Sequence, residues 1–192
     1  VWNESIDPEA GVLRLVFGLG TRAVDRNDDD YTRLVALNAP DQLPEADSEG
    51  GVRYSQHKVD VLDLRRNRLA TVGFNDLARS ADNIRLDLFT SHEMRLARMA
   101  RERGMKHVSP RILTFQKLLN ETPFVDDMRD MLRILEEAYE YPVDIEFVLN
   151  FNSNGTYKIN LVQCRPLQVK GTSRPPTAPW REVPSADRLV ES

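Results

Sequence analysis

The 192-residue chain carries 26 basic and 30 acidic residues for a formal net charge of −4, and a single cysteine. That length supports one domain with a sizeable core or slightly more, the dispersed charge excludes a nucleic-acid footprint, and one cysteine excludes an internal disulfide framework. No run approaches the ~18 apolar residues of a membrane span and no signal-peptide pattern opens the chain, so the expectation is a soluble, cytoplasmic protein cut from a longer one, with neither membrane nor nucleic-acid partner.

In chain order, a turn at Asp7-Pro8 leads to a strand over 12–17, which runs into Gly18-Leu19-Gly20-Thr21-Arg22. Glycines directly after a strand let backbone N–H groups approach a phosphate closely, and Arg22 adds positive charge. The same pair of glycines also fits an ordinary tight turn. Residues 25–30 are acidic but lack the glycine and distal glutamate of a calcium loop, and are expected to be a solvated loop.

A second strand covers 32–38 and Pro40 ends it; a polar connection follows over 41–51. Residues 52–57, 59–64 and 69–74 form a small sheet in which no chemistry is evident, with Arg65-Arg66-Asn67-Arg68 as an exposed turn. Thr90 and Glu93 have the spacing of a capping box, which predicts a helix closed by Gly104 with His92 in its first turn. Residues 111–120 combine a strand-like start, Ile112 to Phe115, with a helix-like end, and their type is open. After Thr122-Pro123, residues Phe124, Met128, Met131, Leu132, Leu135, Ala138 and Tyr139 fall on one helical stripe that Pro142 terminates.

Residues 143–167 then read as a β-hairpin around Asn154-Gly155, a strong signal for a two-residue turn. With those two at the turn centre, Ser153 faces Thr156, Glu146 faces Gln163 and Asp144 faces Arg165. One face carries Asp144, Glu146, Gln163 and Arg165, with paired Cβ atoms roughly 5 Å apart. The other sets Val143, Ile145 and Phe147 against Pro166, Cys164 and Val162, which makes Cys164 a small core residue. Oxygen ligands of this kind suit magnesium, and a guanidinium suits a phosphate. The polar face is equally readable as a surface ion pair beside a hydrogen-bonded pair. A three-residue turn would slip the register and bring Cys164 and Val162 to the carboxylate face.

Tyr141-Pro142-Val143-Asp144-Ile145-Glu146-Phe147 and Leu161-Val162-Gln163-Cys164-Arg165-Pro166-Leu167 resemble the end of the nucleotide-binding domain of the phosphoenolpyruvate synthase and pyruvate phosphate dikinase family. The resemblance implies an α+β, ATP-grasp-like fold over residues 1–168, mainly the carboxy-terminal lobe, with antiparallel sheet, packed helices and a linker over 169–192. It implies ATP and Mg2+ as cofactors, with Glu146 and Gln163 at the metal and the phosphates, Asp144 supporting them, and Arg165 holding the transferred phosphate as the catalytic residue. Gly20 and Arg22 are further nucleotide candidates, because family members carry a similar Gly-Leu-Gly; they usually follow it with an acidic residue, where this chain has Thr21.

Thr90-Ser91-His92 resembles the phosphohistidine loop of the same enzymes but lacks its preceding glycine pair. The implied reaction moves phosphate from ATP to a histidine of a separate domain and on to pyruvate, so the phosphohistidine and pyruvate-binding domains of the parent chain are expected partners. The 192 residues alone are expected not to turn over. Relatives that phosphorylate glucans or antibiotics, and a non-catalytic nucleotide-sensing domain, are the alternatives.

Overall fold

Alternation of apolar and polar residues makes strands here, but every strand in the computed structural model finds only one partner. The model describes residues 6–24, 30–42, 55–80, 84–92, 98, 102, 111–152 and 155–168. Among them the strands form four separate two-stranded antiparallel ribbons. The expected α+β class with antiparallel pairing is present, in small sheets rather than one broad sheet.

The first ribbon pairs β1 (Val12–Leu15) with β2 (Arg33–Ala36). Leu13 and Leu15 face inward with Val35, while Val12 and Arg14 face out, as a period of two requires. Arg33 shares the inward face opposite Leu15. Its Nη2 donates to the carbonyls of Pro40 and Gln42, Nε and Nη1 are buried without a hydrogen-bond partner among the described residues, and burial lowers its pKa. A short helical turn, α1 (Thr21–Val24), follows the two glycines.

The second ribbon, β3 (Lys58–Asp63) with β4 (Arg68–Gly73), is joined by the exposed arginine-rich turn and leads into α2 (Phe74–Ser80). The third pairs β5 (Thr90–His92) with β6 (Arg111–Leu113). This corrects where the expected helix begins: residues 90–92 are strand, whereas Arg98 and Glu102 are helical and paired at 3.0 Å. Thr90 is buried, pairs with Leu113 and donates its hydroxyl to the Leu86 carbonyl, while the hydroxyls of Ser91 and Thr114 bond to each other. A pairing partner some twenty residues away overrides the local cap. Glu93 and Gly104 lie outside the described residues.

The open segment 111–120 resolves into both types: β6 gives way at Phe115 to α3 (Gln116–Glu121). Phe115 makes that change of direction with φ of 57°, held there by burial and by its N–H bond to the Phe89 carbonyl. Helix α4 (Phe124–Tyr139) buries Phe124, Val125 and Met128, with Met131 and Leu132 packed at the margin of the core. The expected stripe does not continue to the end, since Ala138 and Tyr139 are exposed.

The fourth ribbon is the hairpin, β7 (Val143–Phe151) with β8 (Tyr157–Pro166). Ile145, Phe147, Leu149 and Phe151 pack against the core together with Tyr157 and Ile159. The Phe124 ring of α4 meets Phe147 at 6.2 Å and Tyr157 at 6.3 Å, and the Tyr157 hydroxyl donates to Asp127 at 2.5 Å. Burial and that carboxylate together push the Tyr157 phenol well above its ordinary range. The helix therefore backs the hairpin, as its stripe predicts. A chain of aromatic contacts runs from Phe17 at the end of β1 through Phe89 (5.2 Å) to Phe151 of the hairpin (5.2 Å), and fixes the glycine loop relative to it.

Candidate functional site

Asp144 pairs with Arg165 and Glu146 with Gln163 on β7 and β8, as the turn argument expects. The route to that register differs from the one expected. Phe151 pairs with Tyr157, and beyond that pair the Asn152 N–H donates to the Thr156 carbonyl, so three residues, not two, lie between Asn152 and Thr156. Gly155 takes φ of +84°, the left-handed value that a three-residue loop needs at this place.

The one-residue offset persists to Phe147, which faces Leu161 rather than Val162. A bulge then inserts Val162 between Leu161 and Gln163 and restores the offset at Glu146. Val162, expected on the apolar face opposite Phe147, is 63 % exposed. Cys164 remains opposite Ile145, half-buried, and its thiol raises the pKa of the neighbouring Tyr139 phenol.

On the polar face Arg165 donates from Nε (3.0 Å) and Nη2 (2.7 Å) to one oxygen, Asp144 Oδ2. The pair is half-exposed, with side-chain accessibilities of 55 % and 42 %, so it contributes only about 0–1 kcal/mol to stability. Its effect is orientation: two of the three guanidinium nitrogens are committed and Nη1 is left over. Glu146 and Gln163 are exposed, and neither has a hydrogen-bond partner among the described residues. Among the described residues no cluster of three or more His, Cys, Asp or Glu side chains is close enough to hold a metal ion by itself.

The glycine loop is built differently. Gly18 has φ of +97°, and a Cβ there would stand 2.4 Å from Val59 Cγ1 and 2.8 Å from the Asp60 carbonyl oxygen, so the loop lies directly against β3. Asp60 takes up the polar groups this brings close. Its backbone carbonyl accepts Leu19 N–H (2.9 Å), Oδ2 accepts the Thr21 hydroxyl (2.6 Å), and Oδ1 accepts Arg22 Nε (3.2 Å) and the Thr71 hydroxyl of β4 (2.7 Å). The hydroxyl bonds from Thr21 and Thr71 hold the Asp60 carboxyl below its ordinary pKa against the opposing effect of burial, and Arg22 adds to the lowering.

Arg22 also pairs with Asp30 (3.3 Å), whose carboxylate accepts the backbone N–H groups of His57 (2.7 Å) and Lys58 (2.9 Å). Asp30, expected in a solvated loop, has a side chain only 5 % accessible; residues 25–29 lie outside the described residues. The Arg22 guanidinium thus sits inside the protein between two carboxylates. Gly20 is different: it is exposed, with nothing within 4 Å of where a Cβ would stand.

One open cleft of about 2060 Å³ is lined by Gly18 and Gly20 of the loop and by Asp144, Glu146 and Arg165 of the hairpin, together with the hairpin's apolar Ile145 and Phe147. Gln163 and Arg22 are not among its lining residues. Two functional-looking groups escaped the sequence reading, Asp60 and Asp30. An aspartate in the middle of Val59-Asp60-Val61 is the signal that was there, since aspartate is depleted in strands unless something binds its carboxylate.

No helix among the described residues is long and apolar enough to cross a membrane. No curated protein and no solved structure matches the chain. The family model of the pyruvate phosphate dikinase AMP/ATP-binding domain matches residues 3–183, nearly the whole chain. The hairpin carrying Asp144, Glu146, Gln163 and Arg165 falls within that match, and the chain belongs to the pyruvate phosphate dikinase AMP/ATP-binding domain family.

Proposed function

We propose that the chain binds Mg2+-ATP on the polar face of the hairpin, at the edge of the cleft that Glu146 and Arg165 line and next to which Gln163 stands, as the ATP-binding part of a phosphotransferase of the phosphoenolpyruvate synthase and pyruvate phosphate dikinase type with an ATP-grasp arrangement. The observation that carries this is the directly opposed pair Glu146 and Gln163, two exposed oxygen-bearing side chains without hydrogen-bond partners among the described residues. Magnesium is commonly held by one or two protein oxygens, with phosphates and water completing its shell. A two-donor site therefore fits it better than it fits a metal needing a full protein cage. Glu146 and the Gln163 carboxamide oxygen would hold the ion, which when bound would neutralise charge on the β- and γ-phosphates.

Arg165 has the complementary role. Asp144 fixes its Nε and Nη2, so the guanidinium is oriented before a nucleotide arrives, and Nη1 is left to donate to a phosphate oxygen. Gly20 lets the backbone approach the phosphates because no side chain intervenes. Arg22, buried between Asp30 and Asp60, serves as the anchor of the loop.

In the full-length protein the phosphate would pass to a histidine of a separate domain and from there to pyruvate, and the 192 residues by themselves would not turn over. The test is incubation of the full-length protein with ATP labelled at the β-phosphate. Acid-labile label on wild-type protein that is lost in Glu146→Gln is the expected result. Nucleotide binding with no label in wild type would favour a sensing domain, and label passed to a glucan or an antibiotic would change the acceptor.

A further inference from the structure

The glycine loop meets β3 mainly at one residue, Asp60, with a second tie from Arg22 through Asp30 to the Lys58 N–H. Asp60 accepts Leu19 N–H on its backbone oxygen and the Thr21 hydroxyl and Arg22 Nε on its carboxylate, so three of the five residues 18–22 end on it. A fourth donor, the Thr71 hydroxyl, reaches the same carboxylate from β4 and holds it from behind. Gly18 completes the arrangement, since only a residue without a side chain can lie this close to Val59 and Asp60. A buried aspartate with four donors is a rigid point; the glycines it supports are exposed and line the cleft.

We infer that Asp60 is a positioning residue for nucleotide binding, with Thr21 as the tether through which it sets the 18–22 loop against the cleft. The inference rests on the proposed Mg2+-ATP site and adds to it a residue that touches no nucleotide. The chemistry is simple. A loop that must offer backbone N–H groups to a phosphate loses affinity if those groups have to be ordered on binding, and the Thr21–Asp60 bond removes that cost in advance. Thr71 bonds to the same carboxylate but belongs to β4, so it supports Asp60 without holding the loop.

This difference supplies the test. Thr21→Val and Thr71→Val each remove one hydroxyl donor from Asp60 and leave the Arg22 pairing intact, so both are expected to fold. ATP affinity in the presence of magnesium is measured for the full chain and both variants, with hydrogen exchange at the Leu19 amide as a readout that needs no ligand. Thr21→Val is expected to weaken ATP binding about fivefold and to speed Leu19 exchange, while Thr71→Val changes neither beyond what its loss of thermal stability explains. Equal effects of the two variants on affinity and exchange, with wild type binding normally, would overturn the positioning role and leave the nucleotide site standing. Failure of wild type to bind Mg2+-ATP would overturn both.

Discussion

Replacing Arg22 with methionine should destabilise the protein far more than the same replacement of Arg165, although both arginines pair with aspartate. The Arg22 side chain is 9 % accessible and its partners Asp30 and Asp60 are 5 % and 11 % accessible, whereas Arg165 and Asp144 are 55 % and 42 % accessible. Removing one member of a buried pair leaves uncompensated charge at about 3–5 kcal/mol. Here the lower end applies, because Asp30 keeps the His57 and Lys58 N–H groups and Asp60 keeps the Thr21 and Thr71 hydroxyls. About 3 kcal/mol corresponds to a Tm lower by about 6–12 °C for a domain of this size.

Arg165→Met should cost at most about 1 kcal/mol, or roughly 2–4 °C. Urea denaturation and thermal melts at low and at about 0.5 M salt measure both, since screening abolishes the exposed pair's contribution and leaves most of the buried one. A Tm change for Arg22→Met no larger than for Arg165→Met would refute the claim that a buried ion network holds the glycine loop.

Two further predictions follow from the same loop. Since Asp60 has a folded-state pKa below its unfolded value, its contribution is complete above about pH 3.9 and is lost as pH falls through the depressed folded value; the stability gap between wild type and Asp60→Asn should therefore be full at neutral pH and close in acid, and a gap that widens in acid would contradict the assignment. Gly18→Ala should lower Tm sharply, because its Cβ would collide with Val59 and the Asp60 carbonyl at a positive φ, whereas Gly20→Ala should melt like wild type yet bind ATP more weakly; equal Tm values for the two would show that the loop does not press on β3.

The hairpin face was legible because opposed residues share a face, and Asn154-Gly155 fixes the turn to within one residue. The expected pairing of Glu146 with Gln163 holds through two compensating departures, a longer loop and the Val162 bulge. The bulge does leave a trace, since the apolar residues on the core-side face fall at Tyr157 and Ile159, with Leu161 at its exposed margin, and then shift parity to Cys164. Helix α4 was legible from its stripe up to Leu135, beyond which Ala138 and Tyr139 meet no core among the described residues. Thr90 misled because its partner strand lies at Arg111–Leu113, and nothing local to Thr90 encodes that. Asp60 was overlooked for a similar reason: the three donors to its carboxylate, from the loop and from β4, meet it only in the folded chain.

These cases divide along one line. Chemistry carried within a single hairpin can be read from its pairing rule, while a network assembled from β3, β4 and the 18–22 loop depends on tertiary contacts. The glycine loop shows both sides. Its flexibility was visible in Gly18 and Gly20, but not that Arg22 would turn inward to two carboxylates.

The most direct test of the proposed site is calorimetric titration of the chain with ATP, with and without magnesium, for wild type and Glu146→Gln. Magnesium-dependent binding in wild type that falls at least tenfold in Glu146→Gln, with an unchanged melting curve, is the result the opposed Glu146 and Gln163 pair predicts. Equal affinity in the two proteins, or binding in wild type that ignores magnesium, would contradict it.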